Sequence, residues 1–351
     1  MSNLGLVKQF LGIEVKQTQH SGTHYWTINQ SRFISTILSR FGMSSCHGIA
    51  TPLDNRKLLV KASPELTSPP SLQTKYHALI GSLMYFMMGT HLDLTYTVST
   101  LSKFSSNPSN DHFFAAKRVF HYLQTTATLS LTFIMNQESH LEGYLDSDWA
   151  GDIDDSKSTS CYLFTLSGAA ICWKSRKQIL IALSSTGVEY IALIEIAKEA
   201  SWLRSLFADI SSYFNIEKSS LQGTSIPIYA DNPASIYVAK IPQLHEQTKH
   251  IGIRYHYVRT AIAKSLVNLR YISTTENPPD LLTQVLSSDL YQRDVSQLGL
   301  YILVWYFSGS VGDIFSFLFL FLFLFVFFYV KVLFSLSIFF PHILSSGFLA
   351  K

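Results

Sequence analysis

The sequence predicts an α/β protein built around one mixed β-sheet, and three observations support this fold class. After residue 139, short runs with strand periodicity alternate with longer segments that have helical periodicity. Their order is strand, strand, strand, helix, strand, helix, helix, strand, helix, which is typical of a sheet with both parallel and antiparallel pairs. The acidic residues of this region fall at predicted strand ends and helix starts, where an α/β sheet places its functional site.

The composition allows a large apolar core and sets few limits on function. The 351 residues suggest about two domains. Hydrophobic residues make up 47% of the chain, and the net charge of +3 is too weak to predict nucleic-acid binding by itself. Cys46, Cys161 and Cys172 form no CxxC pair and no even disulfide framework, which favours a reducing compartment. The opening residues lack the apolar core of a secretory signal.

The first 130 residues predict two strands followed by several helices. KQFLGIEVKQ and THYWTINQ have strand character, and SRFISTILSRFG has a helical apolar face that ends at Gly42. A stretch rich in Pro and Ser after residue 50 predicts a loop or linker. Three further segments predict helices, with Asp111 as the expected N-cap of the third: YHALIGSLMYFMMGTH, LDLTYTVSTLSKFSS and DHFFAAKRVFHYLQTT.

Residues 139–300 predict the elements of the mixed sheet. HLEGYLD is the first strand, and SCYLFTLSG and AAICWKS form a hairpin that turns at Ser167 and Gly168. The long amphipathic helix SSTGVEYIALIEIAKEASWLRSLF follows. The strand SIPIYA leads into a helix that Asn232 caps and Pro233 begins. The remaining segments predict a helix (TKHIGIRYHYVRTAIAK), a strand (LVNLRYIST) and a last helix that starts at PPDLLTQVL.

The last part of the chain, residues 301–351, differs in composition from the rest. DIFSFLFLFLFLFVFFYVKVLFSLSIFF is almost entirely Phe and Leu. Residues 313–331 bracket an uncharged run of about the length that spans a bilayer, so they form a candidate transmembrane segment. Low-complexity sequence from read-through or from an uncertain gene model explains the same composition, because the alternation of Phe and Leu follows no packing pattern.

Four acidic residues stand out by their predicted positions. Asp146 ends the first strand of residues 139–300, Asp231 ends the fourth, and Asp280 begins the final helix. Glu189 lies in the first turns of the long helix, and its neighbours at helical spacing are apolar: Leu193, Ile196, Ala200 and Leu203. A buried carboxylate is costly unless it is paired or binds a metal. Structural explanations also exist, namely the helix dipole for Glu189, a turn for Asp231 and an N-cap for Asp280.

Together these acids predict a site for a hard cation. Mg²⁺ prefers carboxylate oxygens and keeps waters for a phosphate substrate. Two such ions about 4 Å apart can activate a water and stabilise the leaving oxygen in phosphodiester hydrolysis. An EF-hand starting at Asp146 is excluded because Ala150 and Lys157 occupy its fifth and twelfth positions, and the histidines after residue 244 lack zinc-ligand spacing. The other nearby acids are expected to lie in a solvated loop: Asp148, Asp152, Asp154 and Asp155.

Two groups of short motifs occur in a specific order along the chain. The first group is FLGIEV, RFGM, TPL, LIGSLMYF, LSKFSSNPS and AAKRVFHYL. The second group is GYLDSDWAGDIDDSKSTSCYLFTL, ICWKSRKQ, ALSSTGVEYIAL, KEASWLR, IYADNPASI, TKHIGIRYHYVR and PPDLLTQ. From Leu4 to near Leu300, this series resembles the C-terminal part of the reverse transcriptase, followed by the ribonuclease H domain, of copia-type retrotransposon Pol polyproteins.

This resemblance implies a division of the chain into three regions. Residues 1–135 correspond to a truncated α+β segment of the reverse transcriptase, without its catalytic YVDD motif, so no polymerase activity is expected. Residues 136–300 correspond to a ribonuclease H-like domain, with a mixed five-stranded sheet and flanking helices. Residues 301–351 form the hydrophobic tail.

The resemblance also implies an Asp-Glu-Asp-Asp tetrad that binds two Mg²⁺ ions, with Mn²⁺ as a substitute. The matching residues are Asp146 in LDSDWAG, Glu189 in STGVEY, Asp231 in IYADN and Asp280 in PPDLLTQ. The predicted layout selects the same four acids. The implied partners are an RNA–DNA hybrid and the rest of a Pol polyprotein, and the implied location is the cytoplasm or the nucleus. A membrane becomes both partner and location if the 313–331 segment inserts.

Several positions depart from the family's pattern. Gly187 stands where Glu is usual, Leu145 where a small hydroxyl residue is usual, and Gln284 where Lys is usual. His91 and Leu92 replace a common Arg-Pro pair. None of these changes removes a tetrad acid.

Three hypotheses about function follow. The first is a ribonuclease that cuts the RNA strand of RNA–DNA hybrids, which recognises heteroduplex shape and uses Lys174, Arg176 and Lys177 to hold phosphates. The second is a catalytically inactive retroelement relic, with or without nucleic-acid binding. The third is a membrane-tethered protein of unrelated role.

Overall fold

The computed structural model describes residues 7–302, apart from 58, 64, 66, 136–139, 183, 214–224 and 242–252; of 253–256 it describes the backbone only. The candidate transmembrane segment at 313–331 lies outside the described residues. Within the ranges described, we find no helix with the length and apolar character needed to span a membrane.

The described residues form two five-stranded sheets and eight α-helices. The strands are β1 Gln9–Phe10, β2 Ile13–His20, β3 Thr23–Asn29, β4 Leu129–Ile134, β5 Glu142–Ser147, β6 Thr159–Leu166, β7 Ala169–Lys177, β8 Ile226–Ala230, β9 Val267–Tyr271 and β10 Leu300–Ile302. The helices are α1 Ser31–Arg40, α2 Pro70–Gly89, α3 Thr95–Ser102, α4 Asn110–Thr125, α5 Ser185–Tyr213, α6 Pro233–Lys240, α7 Ile253–Ala263 and α8 Ser288–Gln297. Short 3-10 helices occupy Leu92–Leu94, Thr274–Glu276 and Pro278–Leu282.

The second sheet is the mixed five-stranded sheet that the sequence predicts. Its strand order is β7-β6-β5-β8-β9, with parallel pairing of β8 to both β5 and β9 and antiparallel pairing elsewhere. The β6–β7 hairpin turns at Ser167 and Gly168, whose φ angles of 52° and 79° suit a type I′ turn. Asn232 caps α6 by accepting a hydrogen bond from the Ser235 amide, and Pro233 begins that helix. The predicted α/β fold class is confirmed.

The first sheet is antiparallel, with the order β1-β2-β3-β4-β10. Sequence reasoning found β3 and missed β4 and β10, and the single strand predicted for KQFLGIEVKQ is in fact β1 and β2, joined by a turn at Leu11 and Gly12. Most of β4 is buried without alternation, because β3 and β10 flank it and other elements cover it. A short run that is buried throughout has no period of two, so periodicity cannot distinguish it from a helical segment.

Two predicted element starts are wrong. Ser109, not Asp111, caps α4: its hydroxyl accepts from the His112 amide, and His112 Nδ1 accepts from the Ser109 amide at 3.0 Å. Asp111 lies in the first turn and pairs with Lys57. The last helix does not start at PPDLL, which forms a 3-10 helix, so Asp280 is not an N-cap. Thr283 is the C-cap of this 3-10 helix, and its hydroxyl bonds the Asp280 carbonyl at 3.1 Å.

The two sheets belong to one continuous apolar core, in which buried residues of both are in contact. The indole of Trp173 on β7 donates to the Met87 carbonyl of α2 at 3.1 Å. Tyr291 on α8 donates to the backbone oxygen of Asp93 at 2.9 Å, and Tyr122 on α4 donates to the Asp93 carboxylate at 2.6 Å. The division of the chain into regions 1–135, 136–300 and 301–351 stays a prediction.

Gly299 lies where the chain returns from the second sheet to the first. Its carbonyl accepts from the Thr132 amide of β4 at 2.9 Å, just before β10 begins. Its φ is +78°, and a Cβ added there would meet Ala169 Cα and the Gly168 carbonyl oxygen, both at 2.6 Å. Both a left-handed conformation and close backbone contact therefore require glycine at this position.

We expect Gly299→Ala to destabilise the protein more than Gly22→Ala. Both glycines have left-handed φ angles, +78° and +80°, so both variants carry a similar backbone strain. At Gly22 nothing lies within 4 Å of an added Cβ, whereas at Gly299 backbone atoms block it. Urea unfolding of the two variants should show an additional loss of about 1–3 kcal/mol for Gly299→Ala. Equal losses of unfolding free energy in the two variants would contradict the crowding at Gly299.

Candidate metal centre

Three carboxylates meet at one end of the second sheet. Asp146 lies at the end of β5, Asp231 directly follows β8, and Glu189 lies in the first turns of α5. Because β5 and β8 are parallel neighbours, Asp146 and Asp231 reach the same edge of the sheet. One oxygen from each of the three side chains lies within 4.8 Å of the other two. The structure therefore brings together three of the four acids selected from the sequence.

Asp280 lies near this group but outside the set of oxygens within 4.8 Å of one another. It is half-buried in the 3-10 helix Pro278–Leu282. The link to the group is Thr283, whose hydroxyl contacts both the Asp280 carbonyl and the Asp146 carboxylate. The negative charges of Asp146 and Asp231 also act on Asp280, so all four acids share one electrostatic environment.

Burial of these carboxyl groups raises their pKa values. Burial, followed by the nearby negative charges, raises the pKa of Glu189 to about 8 and that of Asp280 to about 7. Burial is also the main cause that raises the pKa of Asp146 to about 6, and the hydrogen bond from Thr283 partly opposes it. No Lys or Arg forms an ion pair with Asp146, Glu189 or Asp231 in the part of the chain that the structure describes. A cation would relieve this concentration of negative charge.

The hydrogen bonds of Glu189 leave one oxygen without a partner. Ser147 donates to Glu189 Oε1 at 2.6 Å. Glu189 Oε2 is buried and has no hydrogen-bond partner among the described residues. A buried polar atom without a partner is costly and calls for an explanation. Carboxylate oxygens suit hard cations such as Mg²⁺, Ca²⁺ and Mn²⁺, so the residues present fit a metal ion.

The outer acids of the loop after β5 form a separate group with cations. The Asp152 side chain, 8% exposed, contacts Lys103 Nζ at 3.0 Å and Lys177 Nζ at 2.7 Å, and Lys177 also contacts Asp155 at 2.6 Å. Burial alone would raise the pKa of Asp152, but the two lysines outweigh burial and hold that pKa well below its usual range. The expected solvated loop is therefore wrong for Asp152, which joins α3 to the second sheet.

The three basic residues of β7 that were expected to hold phosphates differ in their contacts. Lys177 was expected to hold phosphate, but its charge is already paired with Asp152 and Asp155. Lys174 Nζ lies 6.0 Å from the centre of the Tyr162 ring, and Arg176 is exposed on the same strand.

Sequence reasoning missed three hydroxyl side chains that contact the acids. Ser147 donates to Glu189, Thr283 to Asp146, and Thr274 to Asp231 at 2.8 Å. Ser147 and Thr283 each lie within three positions of a tetrad acid, in the motifs LDSDWAG and PPDLLTQ. Proximity in the sequence could have suggested these two, whereas Thr274 is far from Asp231 along the chain.

The fold and the site together define a class of protein. A mixed five-stranded sheet of this order, with flanking helices and carboxylates at the ends of adjacent strands, is a ribonuclease H-like α/β fold. No family model matches the chain, and no solved structure matches it.

Comparison with known sequences identifies the family. The chain is 34% identical over 304 residues to a retrovirus-related Pol polyprotein from transposon TNT 1-94 of Nicotiana tabacum, covering 86% of this chain and 22% of the relative. It is 33% identical over 293 residues to the corresponding protein from transposon RE1 of Arabidopsis thaliana, covering 83% and 19%. A shorter match, 48% identical over 128 residues, joins 36% of this chain to 90% of secreted RxLR effector protein 161 of Plasmopara viticola.

The chain belongs to the Pol polyproteins of copia-type retrotransposons. It spans about a fifth of the length of the Pol polyproteins that it matches, as the shares of 22%, 19% and 19% show. The protein is therefore derived from a retroelement, and the resemblance found in its motifs is confirmed.

With metals chelated, we expect the thermal unfolding temperature to rise as the pH falls from about 8 to about 5.5. The folded-state pKa values of Glu189, Asp280 and Asp146 lie above their usual values, so the folded state binds more protons than the unfolded state in this window. Folding is thus favoured on acidification through these folded-state values, and the gain levels off near the ordinary carboxyl value. Circular dichroism melts in EDTA measure the effect.

The matched variant for this measurement is Glu189→Gln, which removes the group with the highest of the three pKa values. The difference in pH dependence between the wild type and this variant isolates Glu189 from histidines elsewhere in the chain. A wild-type curve no steeper than that of the variant between about pH 6 and 8 would contradict the raised pKa of Glu189.

We expect Mg²⁺ to raise the unfolding temperature at about pH 8 and to raise it less at about pH 5.5. Cation binding to the folded state stabilises it, and protons compete for the same carboxylates. Asp231→Asn should weaken the effect because it removes one of the three carboxylates, while Asp209→Asn, at an exposed position of α5, should leave it unchanged. If Mg²⁺ raised the unfolding temperature equally in both variants, Mg²⁺ would bind at a site other than this cluster.

Proposed function

We propose that this chain is a retroelement-derived ribonuclease that hydrolyses the RNA strand of RNA–DNA hybrids with the help of two Mg²⁺ ions. The observation that carries the proposal is the cluster of Asp146, Glu189 and Asp231, together with the buried unpartnered oxygen of Glu189. The ribonuclease H-like fold and membership of the Pol polyproteins support the same activity.

In this proposal Asp146, Glu189 and Asp231 hold the cations and Asp280 completes the tetrad. Mg²⁺ suits this all-oxygen donor set, and Mn²⁺ would substitute for it. When bound, the ions would supply an activated water and stabilise the leaving oxygen. The residues of the chain contribute a partly dry site, since Asp146 is 9% and Glu189 5% exposed, and the low dielectric strengthens their attraction for a cation.

The proposed substrate would lie against β7 and the metal centre. Arg176 and Lys174 would contact phosphates, which provides affinity without sequence preference. An RNA–DNA hybrid would be recognised by its shape and its 2′-hydroxyl groups. The proposal keeps residues 136–300 as the ribonuclease H-like region and residues 1–135 as a reverse-transcriptase segment without polymerase activity.

Leu145 bears on the alternative of an inactive relic. This position departs from the family's pattern beside Asp146, and a bulky side chain at the metal centre would obstruct it. The Leu145 side chain is fully buried in the apolar core, and its backbone oxygen accepts a hydrogen bond from Asn277 at 2.9 Å. The leucine is thus accommodated by core packing, so it is no argument for an inactive relic.

The proposal is tested by incubating the full chain with an RNA–DNA hybrid whose RNA strand is labelled, with and without Mg²⁺. The full chain is needed because α2 and α3 contact β7, and α8 contacts the 3-10 helix Leu92–Leu94. We expect Mg²⁺-dependent cleavage of the RNA strand, with single-stranded RNA and duplex DNA left intact. Asp231→Asn should abolish cleavage, and Asp209→Asn should retain it. Absence of cleavage by a folded, Mg²⁺-binding wild type would reject the proposal in favour of an inactive relic.

A further inference from the structure

We propose that Ser147 and Thr283, with a smaller contribution from Thr274, are positioning residues that set which oxygen of each metal-site carboxylate faces the cation. The inference rests on the proposed metal centre and concerns how this chain prepares it. Each of the three clustered carboxylates has one oxygen engaged by a different hydroxyl group. In the proposal, the other oxygen of each carboxylate is the ligand atom.

The contact of Ser147 with Glu189 shows this division of roles most directly. Ser147 is half-buried at the end of β5 and donates to Glu189 Oε1 at 2.6 Å. This bond fixes the carboxylate at the start of α5 relative to the strand that carries Asp146. Glu189 Oε2 is left buried without a partner in the described part of the chain. In the proposal, Oε2 is the Glu189 oxygen that binds the cation as a monodentate ligand.

Thr283 acts in the same way on Asp146. Its side chain is almost fully buried, and its hydroxyl lies in hydrogen-bond contact with Asp146 Oδ2 and 3.1 Å from the Asp280 carbonyl. A hydroxyl has one proton to donate, so the carboxylate and the carbonyl compete for it. This position ties the 3-10 helix that carries Asp280 to the strand end that carries Asp146. A displacement of Thr283 would therefore move two acids of the tetrad.

Thr274 provides the third contact and the weakest. It donates to Asp231 Oδ2 at 2.8 Å, but the pair is open to solvent. Water can replace an exposed hydroxyl donor, whereas a buried donor has no such substitute. We therefore expect the effect of removing the hydroxyl to be larger at Ser147 and Thr283 than at Thr274.

Neutral hydrogen-bond donors are better suited than cationic donors to fix the carboxylates of a metal site. A Lys or Arg beside these acids would fix a carboxylate oxygen equally well, but its charge would cancel part of the attraction for a metal ion. The outer acids Asp152 and Asp155 show that alternative, because Lys103 and Lys177 neutralise them. Hydroxyl groups fix an oxygen without placing a positive charge beside the metal site. Such partners of metal ligands typically contribute 10–100-fold to metal affinity.

The test is isothermal titration of the full chain with Mn²⁺ and with Mg²⁺ at constant pH. Ser147→Ala and Thr283→Val should each weaken metal affinity by about 10–100-fold, and Thr274→Val by less. The conservative variants Ser147→Thr and Thr283→Ser keep the hydroxyl and should retain most of the affinity. Ser205→Ala, which removes a hydroxyl from the exposed face of α5, is the matched control and should bind as the wild type does.

A second measurement separates positioning from a general loss of structure. Unfolding temperatures in EDTA report the metal-free stability of every variant. Unchanged affinity in Ser147→Ala and Thr283→Val, or equal losses in the variants that keep the hydroxyl, would overturn the inference. A wild type that binds neither cation would overturn it together with the metal centre. Weakened binding in the two variants alongside a wild type without ribonuclease activity would support the inference and reject only the proposed function.

Discussion

The mutual repulsion of carboxylates gathered at the ends of β5 and β8 is the constraint on which the rest of the site depends. Two kinds of contact surround these carboxylates. Asp152 and Asp155, farther from the strand end, are neutralised by Lys103 and Lys177. The inner acids receive hydroxyl donors instead of ion pairs within the described residues, so no protein cation balances their charge. The acids near the ends of β5 and β8 therefore divide into two groups. Lysines neutralise Asp152 and Asp155, whereas Asp146, Glu189 and Asp231 have no such partner among the described residues.

The compensated group also links the parts of the molecule. Lys103 follows α3 and Lys177 ends β7, so Asp152 bridges the end of a helix and the end of a strand of the second sheet. Trp173, Tyr291 and the buried Asp93 add contacts at the same junction. The ends of the strands that carry the acids thus belong to a body larger than the second sheet. Rigid surroundings of this kind are what a site built from precisely spaced ligands requires.

Much of this architecture could be predicted from the sequence because it depends on interactions between residues that are close along the chain. The turn at Ser167 and Gly168, the cap at Asn232 and the buried stripe of α5 depend on nearby residues, and all three were predicted correctly. The misses depend on distant contacts. β4 lacks alternation because both of its faces are covered, and Asp152 is paired because Lys103 approaches from another element. The acids that meet were found by their positions at strand ends and at a helix start, whereas the contact of Thr274 with Asp231 joins distant parts of the chain.

The return of the chain from α8 to β10 has a consequence for how the protein folds. β10 completes the first sheet by pairing Leu300 with Leu131, although all other strands of that sheet precede residue 135. On the ribosome, β4 is thus made long before its last neighbour, and its free edge stays open while the second sheet is being synthesised. Pairing over such a sequence distance slows folding, and an unpaired apolar edge invites association with other chains. The edge of β4 is therefore exposed in a nascent chain until β10 is made, and a chaperone would have to cover it during that time.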